Sequence, residues 1–156
     1  MNEKHVIMGI GNWLLSDDGV GVHAAQALAK APPPGTLVVD AGTDTLSALS
    51  FLEDAKRVLL IDAVQGGNAP GTIRCFTESD LSLRQGVSTA HAVSLLASRH
   101  LLPPGAEWPE FQILGVEPAL MTYGMELSPA VASALPQVTR LSREIVAAWR
   151  TETFHP

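Results

Sequence analysis

The sequence predicts an α/β sandwich around a mixed five-stranded sheet, and three observations carry the prediction. Short runs at residues 6–10, 57–63 and 111–116 are apolar almost throughout rather than alternating, as strands of a parallel sheet covered on both faces must be. Between such runs lie segments whose apolar residues recur at helical spacing. One connection breaks the rhythm. Residues 64–71, rich in Gly, Asn and Pro, are too few for the dozen or more residues of a parallel crossover, so the strand that follows is expected to run antiparallel.

The elements follow in order. Residues 6–10 form the first strand, which ends toward Gly11. Val20, Val22, Ala24, Ala27, Leu28 and Ala31 give a helix over 19–31, stopped by Pro32, Pro33 and Pro34. Residues 36–39 are a second strand, and 45–55 a helix with Leu46, Leu49, Phe51 and Leu52 on its apolar side. The run at 57–63, RVLLIDA, is the clearest buried strand, and residues 72–76 are the antiparallel one. A helix over 89–101 ends at Pro103, Pro104 and Gly105, and 111–116 is the last strand. Ser128 followed by Pro129 marks a helix start, with Ser128 as the cap. Val131, Leu135, Val138, Leu141, Ile145 and Trp149 continue that stripe, with a kink or restart expected at Pro136.

Composition narrows the class. With 46% hydrophobic and 17% charged residues, much of the chain must be interior, and its length fits one domain over residues 1–156 without repeats or linkers. A formal charge of −6 argues against a nucleic-acid or anionic-membrane surface, which would need a basic patch. Cys75 is the only cysteine, so neither an internal disulfide nor a cysteine zinc cluster is possible. The N-terminus lacks the pattern of a secretory leader, and no apolar run approaches the ~18 residues of a membrane helix. The chain reads as a soluble cytoplasmic protein.

Ligands of open α/β sheets bind beyond the carboxyl ends of the strands. There the sequence places Asp17 and Asp18 after the first strand, Asp40 at the end of the second, Asp62 at the end of the third, and His91 at the start of a helix. Carboxylates beside an imidazole suit a borderline divalent metal such as nickel or zinc. Each also has a plainer reading. Asp18 can cap the helix at Gly19, Asp40 and Asp62 can be turn formers, and His91 can be a surface or capping residue. A dinucleotide turn fails, because GIGNWL has Gly9 and Gly11 but Leu14 where the third glycine belongs, and the acidic pair would repel a pyrophosphate. Neither the serine-hydrolase elbow nor the zincin signature occurs.

Taken together and in order, GIGNWLLSDDGVGVHAAQAL, VVDAGT, VLLIDAV with PGTIRCF, STAHAVSLL, ILGVEP and ELSPAV resemble the hydrogenase maturation endopeptidases over nearly the whole chain. The resemblance implies a three-layer αβα fold of the phosphorylase/hydrolase-like kind, with strand order 2-1-3-5-4 and strand 4 antiparallel. It implies removal of a C-terminal extension from the precursor of a [NiFe]-hydrogenase large subunit once nickel is installed. The family's metal-contacting and catalytic positions fall on Asp18, Asp62 and His91, and its substrate-binding loop on Asp40, Gly42 and Thr43. Ala41 stands where glycine is frequent in that loop. No permanently bound cofactor is implied. Nickel arrives with the substrate, other divalent ions can occupy the site, and binding weakens as His91 protonates near the reference pKa of ~6.5. Asp62 is expected to be partly accessible at its strand end, so that its loss costs little stability. Two alternatives stand beside this reading. One is a peptidyl-tRNA hydrolase-like enzyme on a similar scaffold, and the other a nickel-binding maturation chaperone without activity.

Overall fold

A computed structural model describes residues 4–83 and 86–152. Five strands, β1 (Lys4–Ile10), β2 (Thr36–Gly42), β3 (Ala55–Ala63), β4 (Ile73–Thr77) and β5 (Glu110–Val116), form one sheet in the order β2-β1-β3-β5-β4. All neighbours are parallel except β4, which lies antiparallel on β5 from Ile73 opposite Val116 to Thr77 opposite Gln112. The short loop after β3 thus does what its length requires.

Side chains alternate across each strand, so the central strands feed two cores. Ile7, Leu59, Ile61, Leu114 and Val116 pack under α1 (Val20–Ala29) and α5 (Pro129–Glu152), with Leu28, Val138 and Trp149 among their partners. On the other face Val6, Met8, Val58, Leu60 and Ile113 meet α2 (Thr45–Leu49) and α4 (Ala90–Ala97) through Leu49 and Leu95. A further helix, α3 (Glu78–Leu83), follows β4. The first layer sits very close to the sheet. A Cβ on Gly9 would stand 2.0 Å from the carbonyl oxygen of Gly21, and one on Gly21 would stand 2.0 Å from that of Ile61. The close helix–strand approach is therefore supplied by Gly21 inside α1.

Several boundaries differ from the sequence expectation. The second helix stops at Leu49, not residue 55, because Ala55 already pairs with Lys4 as the start of β3. A 3-10 turn at Ser16–Gly19 precedes α1, which ends at Ala29, and another at Ser98–Leu101 completes the helix expected over 89–101. No restart occurs at Pro136, and α5 runs through it as one helix. Pro136 and Ala132, four residues earlier, both lie on the exposed side, so the carbonyl that loses its N–H partner faces water. The unexpected α3 has a legible start. Thr77 and Asp80 exchange hydrogen bonds, the Thr77 N–H to the Asp80 carboxylate and the Asp80 N–H to the Thr77 hydroxyl, which is a capping box with Asp at the third position.

Candidate active site

The carboxyl ends of β1 and β3 and the start of α4 meet at one edge of the sheet. Gly11 turns the chain there with φ of +137°, a conformation L side chains rarely adopt, and a Cβ on it would lie 2.1 Å from the Asp18 carbonyl oxygen. The chain can therefore fold back so that the Asn12 N–H donates to Asp18 Oδ2 at 3.0 Å. Asp18 does not cap α1. The cap position is Gly19, which makes no side-chain bond, and the Asp18 carboxylate turns inward instead. His91 Nε2 lies 2.8 Å from the same Oδ2. One ligand atom from each of Asp18, Asp62 and His91 lies within 4.8 Å of the others.

Asp62 departs from expectation in its burial. It is 0% exposed, one residue short of the end of β3. Its carboxylate accepts from the Ala63 N–H at 2.8 Å, the Thr89 hydroxyl at 2.9 Å and the Ala92 N–H at 3.2 Å. Because α4 packs its first turn onto the strand end, water is replaced by those donors. Thr89 therefore belongs to the site as the residue that orients Asp62, though nothing in the motif STA distinguishes its hydroxyl from that of Ser88.

The electrostatics follow from this geometry. Burial pushes Asp62 up to about 7, against the opposing pull of His91 and of its hydrogen bonds from Thr89 and Ala92. Burial also opposes charge on Asp18, but the His91 hydrogen bond, the Asn12 amide and the imidazolium charge outweigh it and hold Asp18 below the usual carboxylate range. His91 is raised above its ordinary value by the Asp18 hydrogen bond, with burial opposing and the charges of Asp62 and Asp18 adding to the rise. The expected reference value of ~6.5 is thus too low for this histidine. Asp18 and His91 share a proton on a line that a cation can take over, with Asp62 beside it. Two carboxylates and one imidazole suit a divalent metal and leave coordination positions open.

Asp17, adjacent to Asp18, points elsewhere. Fully buried, it accepts from the backbone N–H groups of Ala119, Leu120 and Ser128 and from the Ser128 hydroxyl. The hydroxyl expected to cap α5 is thus engaged by Asp17. Asp40 also stays outside the cluster. It is exposed, takes a 3.3 Å hydrogen bond from Gln26 Nε2, and shares an open pocket with Asn12, Trp13, Gly42 and Thr43. Gly42 and Thr43 additionally line a small cavity with His91, so the loop after β2 adjoins the cluster without joining it.

The architecture recurs in solved structures. The [NiFe] hydrogenase maturation protease HybD of Thermococcus kodakarensis superposes with a TM-score of 0.79 at 24% identity, covering 91% of this chain and 98% of that one. The hydrogenase maturating endopeptidase HybD of E. coli gives 0.78 at 24% identity, covering 96% and 93%. These define the class of fold, an αβα sandwich with this strand order. In sequence, the hydrogenase expression/formation protein HupD of Rhodobacter capsulatus is 30% identical over 158 residues, 96% of this chain and 74% of HupD. Residues 22–144 match the HycI hydrogenase maturation protease model, a span that contains Asp62 and His91 and begins just after Asp18. The chain belongs to the hydrogenase maturation protease family and is an endopeptidase of that class. Among the described residues, no helix is long and apolar enough to cross a membrane.

Proposed function

We propose that this endopeptidase removes the C-terminal extension of a [NiFe]-hydrogenase large-subunit precursor after nickel insertion, and that Asp18, Asp62 and His91 read the nickel carried by that substrate. The observation that supports this most is the convergence of two carboxylates and an imidazole within 4.8 Å at the sheet edge. A cation entering there displaces the proton shared by His91 and Asp18 and the one that burial holds on Asp62, so binding is coupled to proton release. With only three protein ligands, the remaining coordination positions fall to groups of the precursor. The metal then belongs to the substrate, and gripping it fixes the neighbouring peptide bond against the enzyme, with proximity supplying part of the rate. The open pocket at Asp40, Gly42 and Thr43 lies beside the cluster and is assigned to the segment around the cleaved bond. In this reading the enzyme works in the cytoplasm, with neither nucleic acid nor membrane as partner, in keeping with its acidic net charge.

The test is incubation with nickel-loaded and nickel-free precursor, followed by mass spectrometry. A product shortened at its C-terminus only in the loaded sample is the expected result. Equal cleavage of both samples overturns nickel recognition. Binding without cleavage overturns the proposed reaction on this precursor.

A further inference from the structure

The segment joining β5 to α5 is tied down on both flanks by buried carboxylates. At one end Glu117 accepts from the N–H groups of Gly66 and Gly67. Further along, Asp17 takes its four hydrogen bonds from Ala119, Leu120 and Ser128 at 2.7–2.9 Å. Backbone bonds then knit the segment to the turn that carries Asp18. The Ser16 N–H donates to the Gly124 carbonyl at 2.7 Å, the Gly124 N–H to that of Leu14 at 2.9 Å, and the Asp17 N–H to that of Leu120 at 3.0 Å.

A chain held this firmly nevertheless turns large apolar side chains outward. Tyr123 is 88% exposed and Met125 53%, with Leu120 and Met121 also exposed and Leu14 alongside through its bond to Gly124. Burying a carboxylate is costly unless it is hydrogen-bonded, and all four hydrogen bonds that Asp17 accepts come from this loop and the start of α5. Surface segments without such a purpose are polar and looser. Residues 118–127 carry one charged side chain, Glu126, whereas the adjoining sheet edge carries the ligand set of Asp18, Asp62 and His91. The complementary partner presents a cation at that edge and an uncharged, apolar protein surface beside it. Tyrosine and methionine are side chains that protein interfaces favour, methionine because it adapts its shape.

We infer that residues 118–127 form the docking surface for the folded body of the metal-bearing precursor, an inference that rests on the proposed function. The test compares wild type with a Tyr123→Asp, Met125→Asp double variant in cleavage of nickel-loaded precursor, with Leu101→Asp as an exposed control on the 3-10 turn after α4. The double variant is expected to raise KM by about tenfold or more with kcat within about twofold, and to leave uptake of free Ni(II) unchanged. The control is expected to match wild type. If circular dichroism shows the aspartates to disturb folding, Tyr123→Ser with Met125→Ser carries the same expectation. A wild-type KM in a folded double variant overturns the docking surface and leaves the proposed function standing. Failure of the wild type to cleave loaded precursor overturns the proposed function and the inference with it. A wild-type dimer that the variant dissociates, with KM unchanged, overturns the inference in favour of a second copy of this chain.

Discussion

Replacing Asp62 by alanine sets two opposing effects against each other, and pH separates them. Three donors lose their acceptor in a site with no exposure, namely the Ala63 and Ala92 N–H groups and the Thr89 hydroxyl. Each costs about 1–3 kcal/mol when left unsatisfied. Against this, the wild-type carboxylate ionises reluctantly, because burial raises it from 3.8 to about 7. That distance corresponds to about 4 kcal/mol of penalty on the ionised native state. Between the two values the folded protein keeps a proton that the unfolded chain has released, so this group's contribution to stability falls as pH rises from about 4 to about 7. The alanine variant has no such slope. It should therefore be clearly destabilised in acid and much closer to wild type in mild alkali. Of the full penalty, about 3 kcal/mol lies between about pH 4.5 and about pH 8, and the wild-type advantage should shrink by that amount. Urea unfolding of both proteins at the two pH values measures it. An advantage that is constant, or that grows with pH, would refute the assignment of Asp62 as a carboxylate held protonated by burial.

Three further outcomes are expected. His91→Ala should keep its fold, since His91 is only partly buried, while cleavage of loaded precursor drops by about a hundredfold or more; normal cleavage removes His91 from the site. The affinity for Ni(II), followed by calorimetry, should rise with pH and still be rising above about 6.5, because protons compete for a raised His91 and a raised Asp62. An affinity that does not change between about pH 6 and about pH 8 would contradict that coupling to proton release. Asp17→Ala strips the acceptor from four donors and should cost about 3 kcal/mol or more in urea unfolding. A cost under about 1 kcal/mol would mean that the loop is not held by this carboxylate.

Much of the architecture was legible because burial leaves a periodic trace. The unbroken apolar runs of β1, β3 and β5 report strands covered on both faces, and the loop over residues 64–71 reports an antiparallel neighbour by its shortness alone. What periodicity does not report is where an element yields to its neighbour. Ala55 fits a helix by local pattern, yet pairing with Lys4 claims it for β3. Pro136 looks like a break until the exposed side it occupies is known. The capping box at Thr77 and Asp80 was present in the sequence and marked α3, but it stands before only a short helix without a long apolar stripe.

At the site, the sequence alone determined that acidic residues stand at the carboxyl ends of strands, because strand ends follow from the apolar runs, and that His91 opens a helix. Only the tertiary structure decided what each one does. Asp17 and Asp18 are neighbours in one 3-10 turn, so their side chains must diverge, and no local rule says which faces the site. The choice is made by partners far along the chain. Asp17 is claimed by donors more than a hundred residues away, and Asp18 by His91, 73 residues on. Asp40 and Asp62 both lie near strand ends, yet Asp40 is left in an open pocket while α4 packs over Asp62 and supplies its donors. Burial, hydrogen bonding and therefore ionisation belong to those long-range contacts. They arise when separate elements are brought together, and a linear pattern holds no record of them.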